Sequence, residues 1–111
     1  MDDCVFCKIS NHQLATDLLM ENDRLIVIRD ILPKAPVHLL VIPKQHIASV
    51  TDLTDEQQNL VGEMILIAKQ QASEQGISES GYKLVFNVGK DGGQIIPHLH
   101  LHILGGKKLE E

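Results

Sequence analysis

The strongest constraint on this chain is a run of alternating residues near its C-terminus, 97–105, which reads P-H-L-H-L-H-I-L-G. Successive side chains on a strand point to opposite faces, so the alternation predicts a strand over 98–104 with His98, His100 and His102 on one face. Neighbouring histidines would lie about 7 Å apart, twice the rise per residue. Three such imidazoles must be buried together or exposed together, which favours a functional site over a structural role. Imidazole suits metal ligation, nucleophilic attack and proton transfer near neutral pH.

Two other kinds of His-x-His site are disfavoured by the neighbouring residues. A metallo-hydrolase needs an aspartate close after the second histidine, and residues 99–106 contain no carboxylate. A cupin needs a glutamate a few residues further on, and none occurs before Glu110. Of the remaining histidines, His38 is expected to point into the sheet and satisfy backbone groups, and His12 to be solvated.

Composition limits the size and the partners of the protein. A length of 111 residues predicts a single domain, 1–111, with one core. The net charge of −5, with no Trp, one Tyr and two Phe, argues against a polymeric nucleic acid as partner but not against a single nucleotide. The sequence has no apolar run of about 18 residues and no secretory signal pattern, so we expect no membrane span and a cytoplasmic location.

Periodicity predicts three more strands and two helices. The strands are expected at 24–31, 38–42 and 82–88, the first two ending at prolines. A short helical turn is expected within 4–10. The resulting pattern is an α+β fold in which a helix packs on one antiparallel sheet.

The longer helix is predicted to begin at Thr54 and to end near Gly76. The Thr54 hydroxyl would cap it while Gln57 reaches back, as in a capping box. Leu66 and Ile67 widen its apolar stripe beyond what packing on one sheet requires. We therefore expect a second surface to cover the helix, and another copy of the chain could provide it.

A glycine-rich segment, 87–94, joins the third predicted strand to the histidine strand. Gly89, Gly92 and Gly93 allow positive φ angles and a bare backbone whose amides can approach an anion. The Asn87 side chain could donate a further hydrogen bond. The segment fits an ordinary hairpin loop or a phosphate-binding loop, and its place directly before three histidines favours the second interpretation.

Both cysteines occur in one Cys-x-x-Cys segment, Cys4 to Cys7. This spacing is that of half a zinc site, which would need two more ligands. It also fits a metal-free pair of thiols or, less well, a redox motif, which would follow a strand.

Several motifs, spread over about residues 4–106, together resemble the histidine-triad (HIT) superfamily and its nucleotide-binding Hint branch. They are Phe6-x-Lys8-Ile9, Arg29-Asp30-Ile31-x-Pro33-x-Ala35-Pro36-x-His38, Val41-Ile42-Pro43-Lys44-x-His46, Asn87-x-Gly89, Gly92-Gly93-Gln94, His98-x-His100-x-His102 and Gly105-Gly106. The resemblance implies an antiparallel sheet of about five strands with one long helix and a short N-terminal helix. It also implies a homodimer whose sheet runs continuously across both protomers.

The resemblance further implies a purine nucleotide hydrolase or nucleotidyl transferase that works through a covalent histidine intermediate. His100 would be the nucleophile, with His98 and His102 completing the catalytic set. Asn87 would contact the α-phosphate together with His102. Further nucleotide-binding residues carried over by position are Asp30 at the ribose, Gly93 and Gln94 at the loop, and Val5, Phe6, Ile9, Ile28 and Ile31 around the purine.

The implied reaction is hydrolysis of a nucleoside phosphoramidate, a P–N bond, to a nucleoside monophosphate. The alternatives are a diadenosine polyphosphate hydrolase, a non-catalytic nucleotide-binding or protein-interaction module, and a zinc-stabilised scaffold. Ile95 departs from the family, whose members commonly carry Ser or Thr there, so the preferred leaving group is open. Similarity to zinc-containing members implies a structural zinc held by Cys4, Cys7, His46 and His98.

Overall fold

The structure is a computed structural model that describes residues 3–111. It contains two α-helices and five β-strands, with two 3-10 turns before the longer helix. In chain order these are α1 (Val5–Ser10), β1 (Leu18–Glu21), β2 (Leu25–Arg29), β3 (Val37–Pro43), 3-10 turns at Val50–Asp52 and Asp55–Gln57, α2 (Gln58–Glu74), β4 (Tyr82–Val85) and β5 (Leu101–Gly105). The α+β class and the antiparallel sheet with one long and one short helix are confirmed.

All five strands form one antiparallel sheet in the order β1-β2-β3-β5-β4. The register of β3 on β5 pairs Leu40 with His102 and His38 with Leu104. Since residues two apart on a strand share a face, His38 lies diagonally across from His102 on the same face of the sheet.

The two faces of the sheet carry two separate apolar clusters. Side chains of α2, including Met64 and Ala68, pack with Leu101 and Ile103 on one face. Phe6 and other residues of α1 pack on the opposite face with Ile26, Ile28, Leu40 and Ile42. This second face is the one that His102 shares, so α1 and the histidines lie on the same side of the sheet.

The histidine strand is shorter than predicted. It begins at Leu101, so of the three alternating histidines only His102 belongs to a strand. Pro43, the last residue of β3, has no N–H to extend the ladder, and its carbonyl accepts a hydrogen bond from the His98 ring at 2.7 Å. The Leu99 N–H instead binds the Ile47 carbonyl at 2.7 Å. The prediction of a strand over 98–104 was therefore wrong for its first three residues.

The other predicted segments are present with different limits. The strands predicted at 24–31 and 82–88 end earlier, at Arg29 and Val85, and the sequence analysis missed β1. β1 pairs with β2 through an irregular register and presents two of its four residues to solvent, so it lacks a clear alternating pattern.

The capping box at Thr54 is confirmed. The Gln57 side chain accepts the Thr54 N–H at 2.7 Å, and the Thr54 hydroxyl accepts the Glu56 N–H at 3.3 Å. The box begins a 3-10 turn, and the α-helix follows at Gln58. Residues 3–111 include no helix long and apolar enough to cross a membrane.

Within the described chain, the sheet covers one side of the apolar stripe of α2 and leaves the other side exposed. Ile67 packs against the core cluster, whereas Ile65 and Leu66 are 39% and 66% exposed. Leu66, one of the two residues that widen the stripe, thus lacks cover within the described chain, whereas Ile67 is partly buried. The uncovered pair is Ile65 and Leu66.

Candidate functional site

Hydrogen bonds to backbone carbonyls fix the rings of the first two triad histidines. The Nε2–H of His98 donates to the Pro43 carbonyl at 2.7 Å, and the Nδ1–H of His100 donates to the His98 carbonyl at 2.7 Å. A carbonyl oxygen can only accept, so each bond identifies the protonated nitrogen. A neutral His100 therefore carries a lone pair on Nε2, which has no hydrogen-bond partner within residues 3–111.

Packing holds these two rings in place. His98 is fully buried and His100 is 8% exposed. The Phe6 ring meets both imidazoles edge-on, with centroid distances of 5.8 Å to His98 and 5.1 Å to His100. Phe6 comes from α1, so the N-terminal helix is part of the wall of the site.

The third triad histidine is bonded to another side chain. His102 Nδ1 lies 2.9 Å from His38 Nε2, whose ring is 1% exposed. The other ring nitrogen of His38, Nδ1, accepts the Lys34 backbone N–H at 3.1 Å. Asp30 Oδ2 lies 3.4 Å from His38 Nε2, and Asp30 Oδ1 accepts the Leu32 N–H at 2.8 Å.

His38 satisfies a backbone group, as the sequence analysis expected, but that analysis missed its bond to His102. Finding that bond requires the register of β3 on β5, which the sequence does not provide.

Burial lowers the pKa of all three triad histidines below the ordinary value. For His98 and His100 burial is the main cause, and their bonds to the carbonyls of Pro43 and His98 act in the opposite direction. Burial, followed by the neighbouring His100 and His38, lowers the pKa of His102 to about 4. The imidazoles are therefore neutral at pH 7, the state in which a ring nitrogen can attack or ligate.

The glycine-rich loop holds itself together. The N–H groups of Gly93 and Gln94 donate to the carbonyls of Lys90 and Gly89 at 3.1 and 3.0 Å. Gly89 and Gly93 have φ angles of +69° and +79°, as expected for glycines in such a turn. Gly92 has no positive φ; the bare backbone is what its position requires, because a Cβ there would collide with the Val88 carbonyl.

Side chains from both ends of the loop fasten it. Gln94 Oε1 accepts the Gly89 N–H at 3.0 Å, while its Nε2 donates to the Ala48 carbonyl at 2.7 Å. Asn87 Nδ2 donates to the Gly92 carbonyl at 2.9 Å and retains a second hydrogen for another acceptor. Gln94 therefore braces the loop, and Asn87 is the better placed of the two to contact a ligand.

The apolar residues expected around a purine fall into two groups. Phe6, Ile9 and Ile28 are buried in the cluster beneath α1, and Val5 packs against them. Ile31, directly after Asp30, is 84% exposed and so free to contact a ligand at the surface.

Ile95 lines two open cavities, one of which lies beside the glycine-rich loop. It is 87% exposed. One cavity, of about 540 Å³, includes Gly93 and Pro97 in its lining, and the other, of about 410 Å³, includes Cys4 and His46. The residue that departs from the family pattern thus contributes an exposed apolar side chain to both cavities.

The four predicted metal ligands converge. One ligand atom from each of Cys4, Cys7, His46 and His98 lies within 4.8 Å of the others. The Sγ–Nδ1 distances are 3.2 Å for Cys4–His98, 3.2 Å for Cys7–His46 and 3.5 Å for Cys7–His98. In a tetrahedral zinc site with ordinary bond lengths, sulfur and nitrogen ligands lie about 3.5 Å apart, so this donor set fits the ion.

The protonation states around the cluster also suit a metal. The Pro43 carbonyl takes the Nε2–H of His98, which leaves the lone pair of Nδ1 facing the two sulfurs. Burial, with Cys4 as a further cause, raises the pKa of the Cys7 thiol to about 11. A cation at the centre would counter this effect, since ligation deprotonates thiols.

Comparison with known proteins gives consistent matches along almost the whole chain. Residues 3–110 match the family described as scavenger mRNA decapping enzyme C-term binding. The chain is 44% identical over 108 residues to an uncharacterized HIT-like protein of Synechococcus elongatus, covering 97% of this chain and 94% of that protein. It is 38% identical over 108 residues to the purine nucleoside phosphoramidase of Escherichia coli, covering 97% and 91%.

Solved structures show the same similarity in three dimensions. A HIT family hydrolase from Legionella pneumophila superposes with a TM-score of 0.96 at 44% identity, covering 97% of this chain and 96% of the other. A zinc-bound histidine triad family protein from Mycobacterium smegmatis gives a TM-score of 0.82 at 31% identity, covering 98% and 81%.

Proposed function

The chain belongs to the histidine-triad family, whose hydrolases it resembles in sequence and fold, and on this premise we propose that it hydrolyses purine nucleoside phosphoramidates through His100. The observation that carries the proposal is the bond from His100 Nδ1–H to the His98 carbonyl at 2.7 Å. That bond leaves Nε2 unprotonated on a buried, oriented ring, which is the requirement for a nitrogen nucleophile. The E. coli relative named purine nucleoside phosphoramidase supports the substrate class.

The proposed reaction has two steps, transfer of the nucleotidyl group to His100 and hydrolysis of the resulting intermediate. In the first, His100 Nε2 forms a bond to the α-phosphorus, the P–N bond breaks, and the departing amine takes up one proton from solvent water. In the second, water attacks phosphorus, the electron pair of the P–N(His100) bond returns to Nε2, and one proton is released with the nucleoside monophosphate. The His98 carbonyl holds the Nδ1–H throughout and stabilises the positive charge on the substituted ring.

The phosphoryl oxygens need fixed donors during both steps. The second Nδ2 hydrogen of Asn87 and the ring of His102 are proposed to supply them, because the Gly93 and Gln94 amides are already bonded within the loop. Asp30, with one oxygen held by the Leu32 amide, is proposed to accept from the ribose hydroxyls. Ile31 and Phe6, with their apolar neighbours, are proposed to contact the purine.

The test is turnover of adenosine 5′-phosphoramidate, with a diadenosine polyphosphate as the competing substrate class. Release of AMP should fall by at least about 1,000-fold in His100→Ala, because no other group replaces the nucleophile. Intact-mass analysis should show a nucleotidyl adduct on the wild type and none on the variant. His12→Ala, which removes an exposed histidine outside the site, should retain full activity.

Two outcomes would contradict the proposal. A preference for the diadenosine polyphosphate would assign the same nucleophile to a different substrate class. A folded protein that binds nucleotide without turnover or adduct would be a binding module.

We also propose that Cys4, Cys7, His46 and His98 hold a structural zinc ion. Support comes from the convergence of four ligand atoms and from the zinc-bound family member of M. smegmatis. Four protein ligands leave no open position for substrate, so the metal would join α1 to the segment that carries His98 and act on catalysis only through structure. The His98 carbonyl that orients His100 belongs to one of these ligands.

A further inference from the structure

We propose that His38 is a positioning residue that holds His102 as a neutral imidazole with its proton on Nε2. The two rings lie on adjacent strands, with His38 Nε2 2.9 Å from His102 Nδ1. One nitrogen of this pair must donate and the other accept. The catalytic consequence rests on the proposed function, but the position of the proton does not.

The Lys34 backbone amide sets the direction of the hydrogen bond. It lies 3.1 Å from His38 Nδ1 and can only donate, so this nitrogen must carry a lone pair. A neutral His38 then has its proton on Nε2, which faces His102 Nδ1. His102 Nδ1 is consequently the acceptor, and the single proton of a neutral His102 resides on Nε2.

Asp30, near the Nε2 edge of the His38 ring, supports the same direction of the hydrogen bond between His38 and His102. Its Oδ2 lies 3.4 Å from His38 Nε2, and a carboxylate oxygen accepts hydrogen bonds. Its Oδ1 is already held by the Leu32 amide at 2.8 Å, which fixes the orientation of the carboxylate. A donor at Lys34 and an acceptor at Asp30 therefore lie on opposite sides of the His38 ring, and both require the proton on Nε2.

This arrangement assigns a specific role to His102. Its Nε2–H has no partner within residues 3–111 and is free to donate to a phosphoryl oxygen. A second proton on His102 would place an Nδ1–H against the Nε2–H of His38, and His38 cannot reverse its tautomer while Lys34 donates to it. Burial and the nearby imidazoles likewise lower the pKa of His102 to about 4. His102 therefore acts as a fixed hydrogen-bond donor and leaves the protonation of the amine to another source.

The primary test is ¹⁵N NMR of the histidine rings in the purified protein at pH 7.5, with the His102 resonances assigned by their loss in His102→Gln. We expect a protonated Nε2 and an unprotonated, hydrogen-bonded Nδ1. A protonated Nδ1 on His102 would overturn the proposal. This result needs no substrate, so a protein that turns over no nucleotide would contradict the proposed function and leave the tautomer assignment standing.

A matched pair of variants tests the positioning role. His38→Leu removes the donor, whereas His38→Gln retains an amide N–H near the place of Nε2. In His38→Leu we expect a mixture of His102 tautomers and a fall in kcat of about 10- to 100-fold, with KM changed much less, because the lost donor acts on developing charge. His38→Gln should retain the wild-type tautomer and a kcat within about tenfold of wild type.

Equal tautomers and equal kcat in wild type and His38→Leu would overturn the positioning role. Equal losses of kcat in both variants, with the wild-type tautomer in each, would also overturn it, since a packing defect alone would then explain the result. If His38→Leu does not fold, the ring spectrum of the wild type decides.

Discussion

At the scale of single residues, proton positions in this site are set by neutral backbone groups more than by charges. Carbonyls of Pro43 and His98 fix the first two histidines, and the Lys34 amide fixes the third through His38. Backbone donors and acceptors do not titrate, so the ring tautomers they select persist over a wide pH range. Each imidazole can then perform one task without competing with its neighbours for a proton.

The lowered pKa of His102 predicts that stability falls in mild acid. Above the unfolded-state pKa of about 6.5, the ring is neutral in both states and its contribution is fully present. As the pH falls toward 4, the unfolded chain binds a proton that folded His102 rejects, so the free energy of unfolding decreases. After allowance for solvent screening, the loss assigned to His102 is on the order of 2 kcal/mol.

Urea unfolding of wild type and His102→Gln at pH 7 and pH 4.5 measures this contribution. Any loss of bound metal in acid affects both proteins and cancels in the comparison. The variant should lose less stability between the two pH values than the wild type does. Identical losses would show that His102 has its ordinary pKa in the folded protein.

At the scale of secondary-structure elements, the N-terminal helix and the histidine segment form one unit. Cys4 is the N-cap of α1, where its Sγ accepts the Cys7 N–H at 3.4 Å, and both sulfurs face His98. Phe6, on the same short helix, packs against His100. A six-residue helix is too short to be stable alone, so these contacts with His98 and His100 hold it in place.

Removal of the proposed zinc should therefore loosen α1 and destabilise the protein. We expect about one zinc per chain in protein purified without chelator, and much less in His46→Ala. Loss of the metal should lower Tm, because its binding free energy contributes to folding. His12→Ala is the matched control, since it removes an exposed histidine outside the cluster and should retain both zinc and Tm.

Metal analysis and thermal unfolding of the three proteins decide this prediction. A zinc content far below one per chain in reduced wild-type protein would contradict it and favour a metal-free thiol pair. So would a His46→Ala variant that retains its metal.

At the scale of the whole molecule, the long helix and one edge of the sheet each present a surface that residues 3–111 leave uncovered. Ile65 and Leu66 form an exposed apolar stripe on α2, and β4 is an edge strand with β5 as its one neighbour. Exposed apolar patches and open edges favour association. We propose that two copies associate through these surfaces, forming the continuous sheet that the family resemblance implies.

Substitution of the exposed stripe should produce monomers. In sedimentation at micromolar concentration, we expect the wild type at twice the 12.3 kDa mass of one chain and Leu66→Lys at the mass of one chain. Leu14→Lys alters an exposed leucine far from α2 in sequence and should remain dimeric. A wild type that sediments at 12.3 kDa would contradict the proposal.

Much of the fold followed from local patterns that packing left unchanged. The capping box at Thr54 and Gln57 depends on residues three apart, and the positive φ angles at Gly89 and Gly93 depend on the lack of a side chain. The start of the histidine strand was misplaced because it depends on Pro43, which lies 55 residues away and ends the neighbouring ladder. The strand β1 was missed because its residues show no clear alternation of burial.

The sequence by itself determined the α+β class, the face shared by the alternating histidines and the family. These depend on residue type and short spacing, which persist whatever the chain packs against. Only the tertiary structure decided which nitrogen of each ring carries its proton. For His98 and His102 the deciding groups, the Pro43 carbonyl and the His38 ring, belong to β3 and come within reach only when β3 packs beside the histidine segment. A hydrogen bond has a direction, and that direction depends on which partner the fold brings within about 3 Å.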